Sequence, residues 1–366
     1  MILVINLNAS VDKRYRMKEL TKGEVMRAAE VDNTPGGKGL HVANVATILG
    51  EDCIATGYLG GKSGEFIGEK LKDYGIKQDF VKVAGETRSC LAIITDDGAQ
   101  TEILEPGPVV TAEEQEAFLL KYRELLGKAS VVVASGSMPQ GLPKDFYAAL
   151  IEIAKAEHKP FLLDTSGEAL VQGIAAKPYF VKPNTDEIHA IKGTDINSDE
   201  DVVREVQLFM ADGIKLPVVS LGARGSIAGY NNHVYKVTVP KIQCKNPVGS
   251  GDSFVAGIAV GIERGMAIED ILSLGAACGT ANAMEDESGF VRKEIVDDLF
   301  GKIKIEHNND LLCDKLSQNK KTLKTVYTTK QKLESAFRRF LSSLRPPNAV
   351  PHLLSAVLSK FPGQKC

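Results

Sequence analysis

The residues best suited to do chemistry sit in glycine-rich turns that each open a helix. The sharpest is Asn246-Pro-Val-Gly-Ser-Gly-Asp252-Ser-Phe254, followed by the apolar run Val255–Ile262. Pro and Gly set a turn, and a helix then begins. Its first N–H groups lack intrahelical acceptors and carry the positive end of the dipole, so an anion is favoured there. Gly249, Ser250 and Gly251 are small enough for the backbone to approach a phosphate closely. Asp252 falls in the first turn, where a carboxylate can take a proton from an attacking hydroxyl. The alternative is that Asp252 or Ser253 only caps the helix.

Three further segments follow the same logic. Pro35-Gly-Gly-Lys38-Gly-Leu-His41 is a second glycine-dense turn into a helix, and Lys38 places a cation where a sugar hydroxyl or a phosphate can sit. Its alternative is a plain turn with a solvated Lys. Lys182-Pro-Asn184-Thr-Asp-Glu187 follows a strand, with Asn184 and Glu187 on one face of a first helical turn. An amide and a carboxylate there suit a hydrated Mg²⁺ beside nucleotide phosphates, or simply form a capping box. Ser220-Leu-Gly222-Ala223-Arg-Gly225 also ends a strand, and reads as a turn around a nucleotide or as an ordinary hairpin turn.

Other chemistries are excluded. Thr56–Ser63 resembles a Walker loop, but its first glycine would have to stand at position 56, which is Thr. No intact GxGxxG follows the first strand, which argues against a nicotinamide dehydrogenase. The six cysteines (Cys53, Cys90, Cys244, Cys278, Cys313 and Cys366) form no CxxC pair, so neither a zinc site nor a disulfide framework is expected. The opening MILVINLN reads as a strand and not as a signal peptide. No stretch approaches the ~20 apolar residues that span a bilayer. The expectation is a cytoplasmic protein with no membrane or nucleic-acid partner.

Elements that must position these turns alternate along residues 1–306. Buried strands are expected at Ile2–Leu7, Cys53–Leu59, Val131–Ser135, Pro160–Asp164, Tyr179–Lys182 and Pro217–Ser220. Amphipathic helices are expected at Glu65–Tyr74, Thr111–Leu126, Lys144–Ala156 and Asp199–Ala211. This alternation predicts an α/β fold with a mostly parallel sheet covered on both faces and ligands beyond the carboxyl ends of its strands. Residues 13–34 and 88–104 break the alternation and read as hairpin-type strands outside the main sheet, suited to a lid.

Composition changes near His307. Residues 307–366 carry 11 Lys/Arg against 3 Asp/Glu, whereas residues 1–306 carry 33 against 44. Leu333, Phe337, Phe340, Leu341 and Leu344 fall at helical spacing beside Arg338, Arg339 and Arg345. Such a basic amphipathic helix can bind a membrane surface or a partner. The plainer expectation is a poorly ordered or non-native tail.

Taken in this order, the segments resemble the ribokinase-like sugar kinases, the PfkB family, over about residues 1–304. Asn246–Asp252 matches the family's C-terminal signature throughout, and Gly36–Gly39 matches most of the N-terminal one. The stretches Leu7–Asp12, Gly36–Gly39, Glu86–Arg88, Thr101–Gly107, Ser135–Pro139 and Asn246–Asp252 are most similar to the tagatose-6-phosphate kinases, with the 1-phosphofructokinases as runner-up. The resemblance implies a three-layer α/β/α fold with a small β-strand lid, ATP and Mg²⁺ as cofactors, a sugar-phosphate substrate and a homodimer formed through the lid.

It also implies roles by position. Asp252 would be the base, with the amides of Gly249, Ser250 and Gly251 as the anion hole for the transferring phosphoryl. Asp12, Gly36 and Gly37 would hold sugar hydroxyls, with Ser137 also on the sugar side. Lys38 and Arg88 would hold the phosphate already on the sugar, helped by Arg27. Lys182, Asn184 and Glu187 would organise Mg²⁺ and phosphates. Ser220, Gly222, Ala223, Gly225, Gly251 and Asn282 would lie on the nucleotide side. One position departs from the signature: His41 stands where the family has an Asn that touches the sugar. His can still donate a hydrogen bond, but it is bulkier and its charge varies near neutral pH. Asn44 is not a substitute for that Asn by alignment, but one helical turn further along it is a candidate to reach the pocket. A non-catalytic sugar-phosphate sensor is the reading from another class.

Overall fold

The computed structural model describes residues 1–307. The basic tail and its expected helix lie outside the described residues, except for His307, which ends the last strand.

The chain begins β1 (Ile2–Asn6), β2 (Ser10–Met17), β3 (Glu30–Gly36), α1 (Lys38–Ile48), β4 (Cys53–Leu59), α2 (Gly61–Asp73), β5 (Lys77–Gln78) and β6 (Val81–Lys82). It continues β7 (Arg88–Thr95), β8 (Gln100–Leu104), α3 (Ala112–Leu126), β9 (Val131–Ser135), α4 (Phe146–Ala156), β10 (Phe161–Asp164), α5 (Gly167–Ala175), β11 (Phe180–Val181), α6 (Thr185–Lys192) and α7 (Asp199–Ala211). It closes β12 (Leu216–Ser220), β13 (Ser226–Tyr230), β14 (His233–Thr238), α8 (Ser250–Glu263), α9 (Ile268–Ala283), α10 (Lys293–Phe300) and β15 (Lys304–His307).

The main sheet runs β15-β14-β13-β12-β11-β10-β9-β1-β4-β5, and β6 also pairs with β4. Strands from β5 to β12 are parallel, and β12 to β15 are antiparallel. The central strands are uninterrupted apolar runs because both of their faces are covered. Ile2 and Val4 join one core with α1, α8 and α9, while Leu3 and Ile5, pointing the other way, are equally buried. From β1 the chain winds outward through β4 in one direction and through β9 to β12 in the other. The carboxyl end of β1 is therefore the switch point where an open α/β sheet leaves a crevice.

The antiparallel edge was not among the expected strands. An Asn231-Asn232 turn, with φ of 48° and 64°, joins β13 to β14, and amide side chains tolerate that left-handed geometry well. The expected strand Tyr179–Lys182 contracts to Phe180–Val181, and the helix expected from Glu65 begins at Gly61.

A second sheet of four strands, ordered β3-β2-β7-β8, stands apart from the main one. It is mixed: β2 pairs parallel with β7, and the outer pairs are antiparallel. The first lid stretch, expected at 13–34, is two strands starting at Ser10 and ending at Gly36, with irregular chain between them. Because side chains alternate across a strand, one row carries Thr34, Asp12, Cys90 and Leu104 across the four strands. Since only three residues separate β2 from β1, the lid is tied directly to the switch point.

Candidate active site

A cleft of about 760 Å³ lies between the lid and the carboxyl ends of the main-sheet strands. Its loop at the start of α8 is built from within. Gly249 takes φ 84°, a left-handed value that glycine adopts without penalty, and no side chain caps the helix. Asn246 Oδ1 accepts from the Val248 amide at 3.0 Å. Asn282 braces the loop from behind: its Oδ1 accepts from the Gly289 amide at 2.8 Å and from Ser253 Oγ at 3.1 Å. Its Nδ2 donates to the Val248 carbonyl at 2.8 Å and to Ser250 Oγ at 3.3 Å. Fully buried and committed on both ends, Asn282 is a strut of the loop and does not line the cleft, contrary to the nucleotide-side position expected for it.

Asp252 is in the first turn of α8, 6% exposed, and its Oδ2 lies 2.8 Å from His41 Nδ1. Capping by Asp252 or Ser253 is therefore not what the helix uses. α8 is apolar all round and packs tightly on α9, where a Cβ on Gly257 would lie 2.6 Å from the Leu274 carbonyl oxygen. That packing fixes where the helix begins, and so where Asp252 stands.

On the side expected to hold the sugar, Gly37 turns the chain at φ 106°, and a Cβ there would meet Asn6 Nδ2 at 2.7 Å. This brings α1 against β1 and sets Lys38 and His41 into the cleft. A Cβ on Gly36 would overlap the Asp12 carboxyl group. Ser10 Oγ donates to Asp12 Oδ1 at 2.6 Å. Burial raises the Asp12 pKa above the usual carboxylate value, although His41, Ser10 and Arg88 pull it down. Arg88 donates to the Asn8 carbonyl at 3.1 Å and to the Glu105 carbonyl at 2.9 Å, pinning the lid to the end of β1. Asn8 Nδ2 reaches Ser137 Oγ at 3.1 Å.

Several of the residues expected on the nucleotide side meet at the ends of β10, β11 and β12, where Lys38 joins them. Lys182, 9% exposed, lies 3.3 Å from Asp164 Oδ1, and Lys38, 47% exposed, lies 3.8 Å from Asp164 Oδ2. Asp164 thus ties the two cations together. Burial alone would raise its pKa, but Lys182 and Lys38 outweigh that and hold the carboxyl below its usual range. Asp164 in turn raises the Lys38 pKa. Lys182 Nζ also comes within 3.2 Å of where a Gly251 Cβ would stand, so its ammonium faces the anion loop. Asn184 and Glu187 form a full capping box at the start of α6: Asn184 Oδ1 accepts from the Glu187 amide at 2.7 Å, and Glu187 Oε2 accepts from the Asn184 amide at 2.9 Å. The plain structural reading of that pair therefore holds, and both residues also line the cleft.

Asp252, Gly249, Gly251, Asp12, Gly37, Lys38, His41, Arg88, Ser137, Lys182, Asn184, Glu187 and Ser220 all line this one cleft. Gly222, Ala223 and Gly225 lie outside its wall, in a tight turn between antiparallel β12 and β13, as an ordinary hairpin requires. Arg27 is exposed between β2 and β3, away from the cleft of this chain. Asn44 donates to the Gly289 carbonyl at 2.9 Å and is likewise outside. Sequence reasoning missed Asn6, Asn8 and Asp164. Asn6 Nδ2 and Asn8 Oδ1 are buried without a protein partner among the described residues. Asp164 carried a readable signal, being a carboxylate at the carboxyl end of an expected strand. Among the described residues there is no cluster of three or more His, Cys, Asp or Glu suited to hold a metal, and no helix is long and apolar enough to cross a membrane.

Comparison with known proteins bears on the fold and the family. A Staphylococcus aureus protein provisionally named a phosphofructokinase is 30% identical, with 84% of this chain and 99% of that chain covered and a TM-score of 0.73. Phosphofructokinase-2 from Escherichia coli is 25% identical over 82% of this chain and 98% of its own, with a TM-score of 0.77. A Thermotoga maritima protein provisionally named a 1-phosphofructokinase is 26% identical over 84% and 99%, also at 0.77. The fold is thus the ribokinase-like α/β fold with its lid, the activity is that of an ATP-using carbohydrate kinase, and the pfkB family carbohydrate kinase model matches residues 2–291. The chain belongs to the pfkB family of carbohydrate kinases.

Proposed function

We propose that the protein moves the γ-phosphoryl group of ATP onto a hydroxyl of a ketohexose phosphate, with tagatose 6-phosphate as the first candidate and fructose 1-phosphate as the second. The observation that carries this reading is Asp252 in the first turn of α8, beside the glycine loop and across one cleft from Lys38 and Arg88. Lys38 and Arg88 both line the cleft, and two cations there favour a sugar that already carries a phosphate over one with hydroxyls alone.

Phosphoryl transfer asks chiefly for in-line positioning and charge stabilisation. Asp252 takes the proton of the attacking sugar hydroxyl, held by Asp12 and the Gly37 turn. Asn6 and Asn8 line the same cleft. The α8 amides, with Lys182 beside them, stabilise charge on the transferring group. The lid excludes water and suppresses ATP hydrolysis. For Mg²⁺ the donors present fit an ion that keeps its waters: Glu187 holds one carboxylate oxygen on the Asn184 amide and would have the other for a hydrated ion. When bound, the ion supplies positive charge to the ATP phosphates.

Catalysis is assigned to residues 1–306 and none of it to the tail, in a cytoplasmic enzyme without nucleic-acid or membrane partners. A homodimer through the lid is supported by Val31 and Ile103, 48% and 52% exposed on that sheet. E. coli phosphofructokinase-2 has an inhibited form described as tetrameric.

The test is ADP release from Mg-ATP with tagatose 6-phosphate, fructose 1-phosphate, fructose 6-phosphate and free fructose in parallel. Highest kcat/KM on tagatose 6-phosphate supports the first candidate, and on fructose 1-phosphate the second. Binding of these sugars without ADP release would replace the kinase reading with that of a sensor.

A further inference from the structure

His41 stands where the resembling signature has Asn, and the fold sets its ring between two carboxylates. Its Nδ1 is 2.8 Å from Asp252 Oδ2, and its Nε2 is 3.8 Å from Asp12 Oδ2. The ring is 12% exposed. It is backed by Gly289, where a Cβ would come within 2.4 Å of the His41 Cγ, so only a glycine there leaves room for it. Asp12 has its other oxygen fixed by Ser10. Each carboxylate therefore turns one defined oxygen to the imidazole.

We propose that His41 is a positioning residue acting as an imidazolium clamp: Nδ1–H fixes Oδ2 of Asp252 and leaves Oδ1 for the reacting hydroxyl, while Nε2–H faces Asp12, so that the proton-accepting and sugar-holding carboxylates are coupled through one titrating ring. The proposal rests on the roles given above to Asp252 and Asp12.

The surroundings favour the charged ring. Asp252 faces it from α8, Asp12 from β2, and Glu287 from the loop between α9 and α10. Tyr74, just beyond α2, bonds Glu287 at 3.3 Å, and Lys38 on the ring's own helix faces the same Asp252. Burial alone would drive the imidazolium toward neutrality, but the Asp252 hydrogen bond and the charges of Asp252, Asp12 and Glu287 outweigh it and raise the pKa above the ordinary histidine value. The clamp is therefore intact below that raised value and lost as pH rises through it. The proton that leaves is the one on Nε2, because Nδ1 holds the closer bond. Deprotonation thus acts on the Asp12 side, and so on sugar affinity more than on turnover.

The experiment follows KM and kcat for tagatose 6-phosphate, fructose 1-phosphate and fructose 6-phosphate between about pH 6 and pH 9, the range that brackets a histidine titration. Wild type and His41→Asn are compared. The expected wild-type result is a sugar KM rising about tenfold across the titration, the scale of one partly buried ion pair at an effective dielectric well below that of water, with a smaller change in kcat. In His41→Asn that step is absent. Parallel rises in both proteins would overturn the clamp. A second measurement needs no turnover: the His41 imidazole is titrated by NMR in wild type, Asp12→Asn and Asp252→Asn. Its pKa should fall in both variants, and further in Asp252→Asn. Equal titration in all three would overturn the proposal. If none of the three sugar phosphates is used, the functional reading fails while the ring titration still decides the clamp.

Discussion

Replacing Asp164 with Asn tests the charge architecture of the cleft in one step. The carboxylate is 5% exposed and lies 3.3 Å from Lys182 and 3.8 Å from Lys38. At an effective dielectric of about 20, the gross attractions are about 5 and 4 kcal/mol. Desolvation offsets much of this, and Lys38, nearly half exposed, is screened enough that its pair counts like a surface one, at most about 1 kcal/mol. Lys182 is buried, and removing the charge of a buried partner costs about 3–5 kcal/mol. Since Asn still offers Lys182 a carbonyl oxygen, the expected loss is about 2–4 kcal/mol at pH 7. The assay is urea denaturation of the full chain across a pH series. The pKa of Asp164 is lowered in the folded state, so its contribution is fully present above the unfolded carboxylate value near 3.8 and fades as pH falls through the lower folded value. Wild type and variant should therefore differ at neutral pH and converge in acid. Equal stability at pH 7, or a gap that persists unchanged in acid, would refute the reasoning.

Two other variants probe the loop at α8. Asp252→Ala should lower kcat by at least about 10²-fold, the scale of a general base, and near-normal turnover would remove Asp252 from that role. Asn282→Ala deprives the Gly289 amide, the Val248 carbonyl and two hydroxyls of their shared partner. It should cost about 3 kcal/mol in urea denaturation, since each stranded buried group costs about 1–3 kcal/mol. It should also lower kcat, although Asn282 does not line the cleft. Loss of stability with full kcat would mean that the loop keeps its shape without the strut.

Much of this protein was legible along the chain because its signals are local. A turn needs Gly or Pro where it bends, and a buried parallel strand needs an unbroken apolar run. From such patterns the sequence by itself determined the α/β class, most of the central strands, the lid as a separate layer, and the loops around Asp252, Lys38 and Asn184. Boundaries moved where packing overrode pattern, as in the lid, whose first strand starts at Ser10 because it continues directly from β1. What only the tertiary structure decided are relations between residues far apart in sequence. His41 and Asp252 are 211 positions apart and share a hydrogen bond. Asp164 joins Lys38 to Lys182, and Asn282, expected beside the nucleotide, holds the glycine loop from behind. Burial and charge pairing depend on which strand ends meet at the crevice, and no local periodicity encodes that meeting; it follows from the order in which the strands assemble around β1.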